Sequence, residues 1–220
     1  MSPRKKNAEP LARERIVAAA LKIIDTEGLV KLSMRRLGAE LGVNPMAAYY
    51  HVPNKAALYD LVLEAVMAGV DTSQIDASQP IAEQLKQAAR VFRAAILAHP
   101  RAIPVLAARP FRTEAVLRPV EPFMRILFDA GLTATEAVAA VDCVAQYILG
   151  GAVGYYHGTC EEGADSQHEF EALDPVAYPG LTRMITEGEY LGFDGEFEFG
   201  LDLIVRGLLS VAGRPPEVTP

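Results

Sequence analysis

Apolar residues near the start of the chain recur at intervals of three and four, the spacing of an amphipathic helix. They are Ile16, Ala20, Ile23 and Ile24. Gly28 follows and predicts the end of this helix, because glycine readily adopts the backbone that terminates helices. A second helix is predicted after Ser33, whose hydroxyl can cap it, with Leu37 and Leu41 facing inward.

The stretch from Gly42 to Asn54 predicts a tight turn followed by a helix of about two turns. Gly42 can end the second helix, Asn44 can accept amide protons of the next, and Pro45 occupies a position where its missing N–H costs nothing. Pro53 ends the short helix, because the residue before a proline avoids helical geometry. Helices in this order form a helix-turn-helix, whose last helix reads the DNA major groove.

Asn54 can cap a further amphipathic helix, which leads out of the helix-turn-helix region at residues 1–54, the head of the molecule. Its inward positions are Leu58, Leu61, Val62, Ala65 and Val66. The polar residues 71–80 then mark a domain boundary. We therefore expect a DNA-binding domain at residues 1–54 with a connecting helix at 55–70, and a second domain at 71–220.

The second domain is also predicted to be helical, which makes the chain all-α. One helix is expected at 81–98, prolines break the residues after it into short pieces, and a final helix is expected at 193–209. Thr133 and Glu136 form a capping box that opens a long helix through about Tyr156. Residues 158–179 hold six acidic side chains, no Lys or Arg and two prolines, which favours a long irregular segment.

The long helix carries two features of an interface. An apolar seam follows it, made of Val138, Val141, Ala145, Ile148 and Ala152. Gly150, Gly151 and Gly154 are poor helix formers, and their presence predicts that another backbone passes close by.

The charge distribution separates the head from the rest of the chain. The net charge is −7, yet residues 1–55 hold 10 Lys and Arg against 5 Asp and Glu, a net charge of +5. The remaining residues carry a net charge of −12. Phosphates attract the first part and repel the second, so this distribution favours an oriented approach to DNA. Residues 1–10 are basic and polar and are interpreted as an arm.

Composition excludes several other classes of protein. No run of about 18 uncharged apolar residues is found and no secretion signal opens the chain, so a soluble cytoplasmic protein without a membrane span is expected. Cys143 and Cys160 have no metal-binding spacing. No nucleophile elbow or phosphate-binding loop is found, so we predict no catalytic residue, metal site or cofactor.

Three segments resemble the DNA-binding head of the tetracycline-repressor (TetR) family. They are 33–43, and the Ala-Tyr-Tyr-His-Val and Asn-Lys-Ala-Ala-Leu runs at 48–52 and 54–58. The resemblance implies that Arg35 reads a base, and a guanidinium is suited to the edge of guanine. Pro45, Met46 and Ala47 match base-facing positions but cannot make a bidentate hydrogen bond, so they offer only apolar contact.

The resemblance also implies phosphate contacts, which orient the head but carry little sequence information. The positions are Tyr49, His51 and Lys55, with Arg36 as a further phosphate candidate. Tyr50 is also a candidate DNA-binding residue. Either tyrosine could instead pack against the first helix. We expect Tyr50, more than Tyr49, to have this structural role.

Arg109-Pro110 and the run 146–150 allow the family's tetracycline–magnesium site to be located on this chain. The metal-binding histidine falls at Val105 and another pocket histidine falls at Gln146, and an aliphatic side chain cannot bind magnesium. A hydrophobic effector is therefore expected. The candidate ligand-binding residues are Phe92, Val105, Val120, Phe123, Met124 and Tyr147.

The resemblance extends to residues 193–209 and implies a homodimer formed by helices near 133–156 and 194–211. A two-fold pair of heads could reach operator half-sites about 34 Å apart. The resulting hypothesis is a repressor that binds a palindromic double-stranded DNA operator and is released by a small hydrophobic molecule. Two alternatives remain: a helical small-molecule-binding protein with a vestigial DNA-binding head, and a helical-bundle enzyme.

Overall fold

The computed structural model describes residues 13–108, 113–160 and 174–212. These residues form α-helices and short 3₁₀ turns without a β-strand, which confirms the all-α prediction. The arm at 1–10, the Arg109-Pro110 pair and the middle of the acidic segment lie outside the described residues.

Four helices make up the N-terminal part of the fold. They are α1 (Arg13–Glu27), α2 (Met34–Leu41), α3 (Pro45–His51) and α4 (Lys55–Ala68). Seven more follow: α5 (Ile81–Leu97), α6 (Ile103–Ala108), α7 (Glu114–Leu117), α8 (Val120–Asp129), α9 (Ala134–Cys160), α10 (Pro179–Glu187) and α11 (Gly192–Ala212). The order and bounds of α1 to α5 and of α11 agree with the sequence prediction to within a few residues.

The acidic segment is shorter than the sequence predicted. Helix α9 continues to Cys160, and α10 begins at Pro179, a helix that was not predicted at all. Helix α10 buries none of its residues, and its apolar side chains Leu181, Met184 and Ile185 are exposed.

Helix α4 connects the two parts of the molecule through a continuous core. The helix is buried along its whole length by Leu58, Leu61, Val62, Leu63, Val66 and Met67. It packs against α1 in the head and against α5, α6 and α7 in the body, which is the part of the chain that follows α4. Helix α4 therefore joins the core of the head to the core of the body.

Charged side chains join α5 to α11, which run antiparallel. Lys86 Nζ lies 2.5 Å from Asp202 Oδ1, and Arg90 binds both carboxylate oxygens of Glu198 at 2.8 Å each. Arg93 also packs over the ring of Phe197 at 4.5 Å from its centroid. These contacts fix the position of α11 against the body.

The capping box that opens α9 is confirmed. Glu136 Oε2 accepts hydrogen bonds from the backbone N–H of Thr133 at 2.8 Å and from its hydroxyl at 2.7 Å. The predicted interface seam is wrong in part, because Ile148 and Ala152 are buried inside this chain. Apolar residues spaced three and four apart identify a helix face, but this spacing does not show whether that face packs in the core or at an interface.

The glycines of α9 do not accommodate a backbone from within this chain. An added Cβ at Gly150 or Gly151 would meet no described atom within 4 Å, and at Gly154 only the ring of Phe193 at 3.6 Å. The close approach occurs at Gly200 instead, where a Cβ would lie 2.2 Å from the hydroxyl oxygen of Tyr147. The neighbour there is a side chain, not a backbone.

Helix α9 is also the one described helix that is long and apolar enough to cross a membrane. The stretch is Ala134–His157, and only 28% of its most apolar window is buried. Core helices of soluble proteins meet the same criteria, so length and composition alone are weak evidence for a membrane span. This stretch was not predicted from the sequence.

Candidate DNA interface and effector cavity

The turn between α2 and α3 has the geometry that the sequence predicted. The Ser33 hydroxyl accepts from the backbone N–H of Arg36 at 3.1 Å, and Gly42 ends α2 with a φ of +67°. Asn44 Oδ1 then accepts from the backbone N–H of Met46 at 2.9 Å. Because both ends of the turn are capped, the start of α3 is fixed relative to α2.

The described side chains of α3 lie almost entirely in solvent. Met46 is 72% exposed, Tyr50 is 87% exposed and Tyr49 is 44% exposed, while Ala47 and His51 also lie on the surface. The side chain of Pro45 is outside the described set. A helix that buries so little cannot be explained by core packing, and its surface is available to a partner.

The expectation that Tyr50 has the more structural role is wrong. Its ring contacts only the edge of the His51 ring, with 5.3 Å between the centroids, whereas Tyr49 is about half as exposed. The helix is anchored through Val52 immediately after it, which is 1% exposed, so the aromatic residues are not needed as anchors.

Arg35 and Arg36 are neighbours in sequence but have different environments. Arg35 is exposed, and no described side chain forms an ion pair with it. The Arg36 guanidinium binds Glu27 at 2.5 Å and Glu40 at 2.8 Å, and Lys22 binds Glu40 at 2.6 Å. The hydrogen bond from Arg36 lowers the pKa of Glu27, and those from Lys22 and then Arg36 lower the pKa of Glu40.

These contacts join α1 to α2. They also occupy the Arg36 guanidinium, which was predicted from the sequence to contact a phosphate. The role of Arg36 at DNA stays a prediction, and it requires the guanidinium to share or leave Glu27 and Glu40. Lys55 is exposed at the first position of α4, with its ammonium 5.4 Å from the centroid of the Tyr59 ring. That distance permits a weak cation–π contact and leaves hydrogen-bond donors available.

A cavity of about 190 Å³ lies in the body between five helices. Its lining consists of Met67, Ala89, Phe92, Ile96, Leu117, Val120, Phe123, Val141, Asp142, Val144, Ala145, Ile148 and Leu149. These residues come from α4, α5, α7, α8 and α9, so no single segment of sequence encodes the cavity. Twelve of them are apolar, which is typical of a site for a hydrophobic molecule.

The structure divides the six residues proposed from the sequence as ligand contacts. Phe92, Val120 and Phe123 line the cavity, whereas Val105 and Met124 do not, because their side chains pack within the core. Met67, Ile96 and Leu117 were missed. Met67 could have been found as the last inward position of α4, but nothing in the sequence around Leu117 indicates its position.

Tyr147 is the third residue that does not line the cavity. It lies on the opposite side of α9 and donates from its hydroxyl to the backbone carbonyls of Phe197 at 3.0 Å and Glu196 at 3.2 Å in α11. Its ring stacks on that of Phe197, and burial raises the pKa of its phenol. Tyr147 therefore joins α9 to α11, with Gly200 leaving room for the hydroxyl.

Two family models match this chain over most of its length. Residues 16–62 match the bacterial regulatory proteins of the tetR family, and residues 77–212 match the tetracyclin repressor-like C-terminal domain. The chain belongs to the TetR family. The resemblance inferred from the sequence is thereby confirmed, and so are the family-level expectations of DNA binding, repression and ligand binding.

Individual relatives of this TetR-family chain support the assignment. It is 31% identical to the HTH-type transcriptional repressor DrrR1 of Streptomyces coeruleorubidus, over 96% of this chain and 82% of that protein. It is 30% identical to the class C tetracycline repressor of Escherichia coli, over 90% of each. The crystal structure of ActR from Streptomyces coelicolor with actinorhodin superposes with a TM-score of 0.83 at 32% identity, over 93% of this chain and all of that chain.

Two routes connect the cavity of this TetR-family chain to its head. Helix α4 carries Met67 in the cavity wall and Lys55 at its other end, about 18 Å away at 1.5 Å per residue. The second route starts at α5, which lines the cavity with Ile96. Just beyond its end, His99 Nδ1 lies 2.9 Å from Asp25 Oδ2. Arg101 donates to the backbone carbonyls of Asp25 and Thr26 in the last turn of α1.

Proposed function

We propose that this chain is a homodimeric repressor that binds a palindromic operator and is released from it by a small hydrophobic molecule. The observation that supports the proposal is that one continuous helix has an exposed first residue next to α3 and lines the cavity near its other end. Helix α4 begins at Lys55, beside the exposed surface of α3, and ends beside the cavity at Met67. Since operator DNA is in the cytoplasm, the protein is expected to act there.

The proposed DNA contacts divide into two classes. Arg35 reads a guanine edge, because it is exposed and no described carboxylate competes for it. Met46, Ala47 and Pro45 approach thymine methyl groups or the groove wall. Tyr49, Tyr50, His51 and Lys55 donate to phosphates, and their exposure supports this assignment.

We propose dimerisation through the outward faces of α9 and α11. On α11, Phe199 is 62% exposed and Leu203 is 55% exposed, and an added Cβ at Gly207 would meet no described atom within 4 Å. The empty surroundings of Gly150 and Gly151 extend this face onto α9. A second copy covering both helices would bury exposed apolar surface and bring two heads into register.

Release requires that the effector bind the DNA-incompetent arrangement more tightly than the competent one. A ligand that enlarges the cavity pushes on Met67 of α4 and on Ile96 of α5, which together support the head. A small rotation of each head is sufficient, because two recognition helices must fit successive major grooves at a fixed spacing.

The DNA assignment is tested by fluorescence anisotropy with labelled DNA flanking the gene that encodes this chain. The wild type should bind in a sequence-selective and salt-sensitive manner, and Arg35→Ala should lose most of that affinity. Lys31→Ala is the matched control, because it removes one positive charge from an exposed position of the same head. Ligand binding without salt-sensitive DNA binding would instead favour a helical small-molecule-binding protein with a vestigial head.

The dimer assignment is tested by analytical ultracentrifugation of the wild type and Leu203→Glu. The wild type should sediment as a dimer and the variant as a monomer, because the substitution inserts a charge into the proposed apolar interface. Val30→Glu makes a comparable change at a head position that is 93% exposed, and it should remain dimeric. A monomeric wild type would contradict the dimer.

A further inference from the structure

Among the residues that the structure describes, Asp142 is the only charged one that lines the cavity, and the other twelve lining residues are apolar. It lies on α9 at the edge of the cavity-facing side, next to the outward face of that helix. Asp142 and Leu117 are the exposed members of the lining, so together they mark the mouth through which a ligand would enter.

No described side chain pairs with the Asp142 carboxylate. Three acidic residues of α11 are paired by contrast: Glu198 binds Arg90, Asp202 binds Lys86, and Asp194 binds Arg93 at 2.7 Å. An unpaired anion beside an apolar wall is a site that a cation would stabilise. The net charge of −12 on residues 56–220 also favours a cationic ligand.

We propose that the effector is a hydrophobic amine, with an apolar ring system in the cavity and a protonated nitrogen against Asp142 at the mouth. This inference rests on the proposed function, since it specifies the chemistry of the ligand assigned to this cavity. A cavity of roughly 150 Å³ lined by Leu, Ile and Phe already admits a benzene ring, so the observed volume suits one or two rings. The open mouth keeps both charges partly hydrated, which limits the desolvation cost of the ion pair.

An anionic analogue would be repelled by the same carboxylate, and a neutral alcohol could donate a hydrogen bond to it but would lack the charge attraction. Selectivity among ligands of equal shape therefore reports the role of Asp142 directly. Because the pair is partly solvated, we expect a preference of about three- to tenfold for the amine over the neutral analogue. Salt should reduce this preference.

The test uses three probes that share one ring system: 1-naphthylmethylamine, 1-naphthylmethanol and 1-naphthoic acid. Their affinities for the full-length protein are measured by isothermal titration calorimetry at pH 7. In the wild type the amine should bind most tightly and the acid most weakly. In Asp142→Asn the amine should lose its preference over the alcohol, because the substitution removes the negative charge that attracts the ammonium.

Asp129→Asn is the matched control, because it removes an exposed carboxylate from the last position of α8 without touching the cavity lining. It should keep the wild-type preference for the amine. Loss of that preference in Asp129→Asn as well would show that the general negative field of the body, and not Asp142, selects the ligand.

The outcomes separate this inference from the proposed function. If the alcohol binds and the amine binds no more tightly, the cavity is a ligand site but the inference about Asp142 is overturned. If no probe binds, the inference fails together with the assignment of this cavity as the effector site. The DNA assignment is measured separately and is unaffected by either result.

Discussion

The exposed surface of α3 and the cavity of the body are built in opposite ways. The surface uses one seven-residue helix, almost all of whose described side chains lie in solvent. The cavity uses side chains from five helices and exposes only two of its thirteen lining residues. Binding at the first depends on individual side chains, whereas binding at the second depends on how whole helices pack.

The two sites also differ in how they tolerate change. An exposed side chain such as Met46 can be removed from α3 with little effect on the fold, because it lies largely outside the core. A side chain in the cavity wall belongs to the core as well, so the same removal affects stability and ligand binding together. This difference can be measured with substitutions made in pairs.

The largest effect is expected for Phe123→Ala, which removes a cavity-wall ring that is 5% exposed. It should lower the free energy of unfolding by about 3–5 kcal/mol, because the wall cannot close over the lost ring. Met46→Ala shortens a side chain that is 72% exposed on α3 and should change stability by less than about 0.5 kcal/mol. Urea denaturation of both variants measures the contrast, and equal costs would mean that α3 is buried against something in solution.

Arg35→Gln and Arg36→Gln make the same comparison within the head. Arg35→Gln should weaken operator binding by about 5- to 150-fold, or about 1–3 kcal/mol, and leave stability unchanged. Arg36→Gln should lower the urea midpoint, because it removes the contacts with Glu27 and Glu40 that join α1 to α2. Anisotropy and denaturation on the same samples separate the two roles. If Arg36→Gln instead loses as much DNA affinity as Arg35→Gln and keeps the wild-type stability, Arg36 must leave Glu27 and Glu40 to bind DNA.

The head could be predicted from the sequence because its determinants are local. Ser33, Gly42, Asn44 and Asn54 each act within three residues or so of their own position, and each adopts the expected capping role or backbone conformation. The partner of Arg36 on α1 could not be predicted in the same way, unlike Glu40, which lies four residues along α2. Glu27 is nine residues away on another helix, and their contact depends on how α1 packs on α2.

The cavity could be predicted only in part, because its lining comes from helices that are distant in sequence. Phe92 and Phe123 were found as apolar residues of a kind that lines pockets. Tyr147 has the same character but lies on the other side of α9, and helical spacing does not indicate which side faces the cavity. Asp142 was not noticed, since a single acidic residue on a helix is ordinary until its neighbours are known.

The stability of a Gly200 variant shows how rigidly Tyr147 is held against α11. Gly200→Ala should lower the free energy of unfolding by about 1–3 kcal/mol, because the new Cβ would overlap the Tyr147 hydroxyl, which is held by α11 carbonyls. Gly180→Ala, in α10, meets no described atom within 4 Å and should be neutral or stabilise by up to about 1 kcal/mol. Equal stability of the two variants in urea would mean that Tyr147 moves aside at no cost.

The smallest effect concerns the ion pairs between α5 and α11. Hydrogen bonds from Arg90 lower the pKa of Glu198 below its ordinary value, which is about 4.3 in an unfolded chain. The folded state therefore gains stability above that pH, and the gain is lost as the pH falls through the lowered pKa. Both side chains are about 40% exposed, so the gain should stay below about 1 kcal/mol. Glu198→Gln should be less stable than the wild type at pH 7, and the difference should shrink below about pH 4. Glu189→Gln, at a carboxylate that no described cation contacts, should show no such difference at either pH.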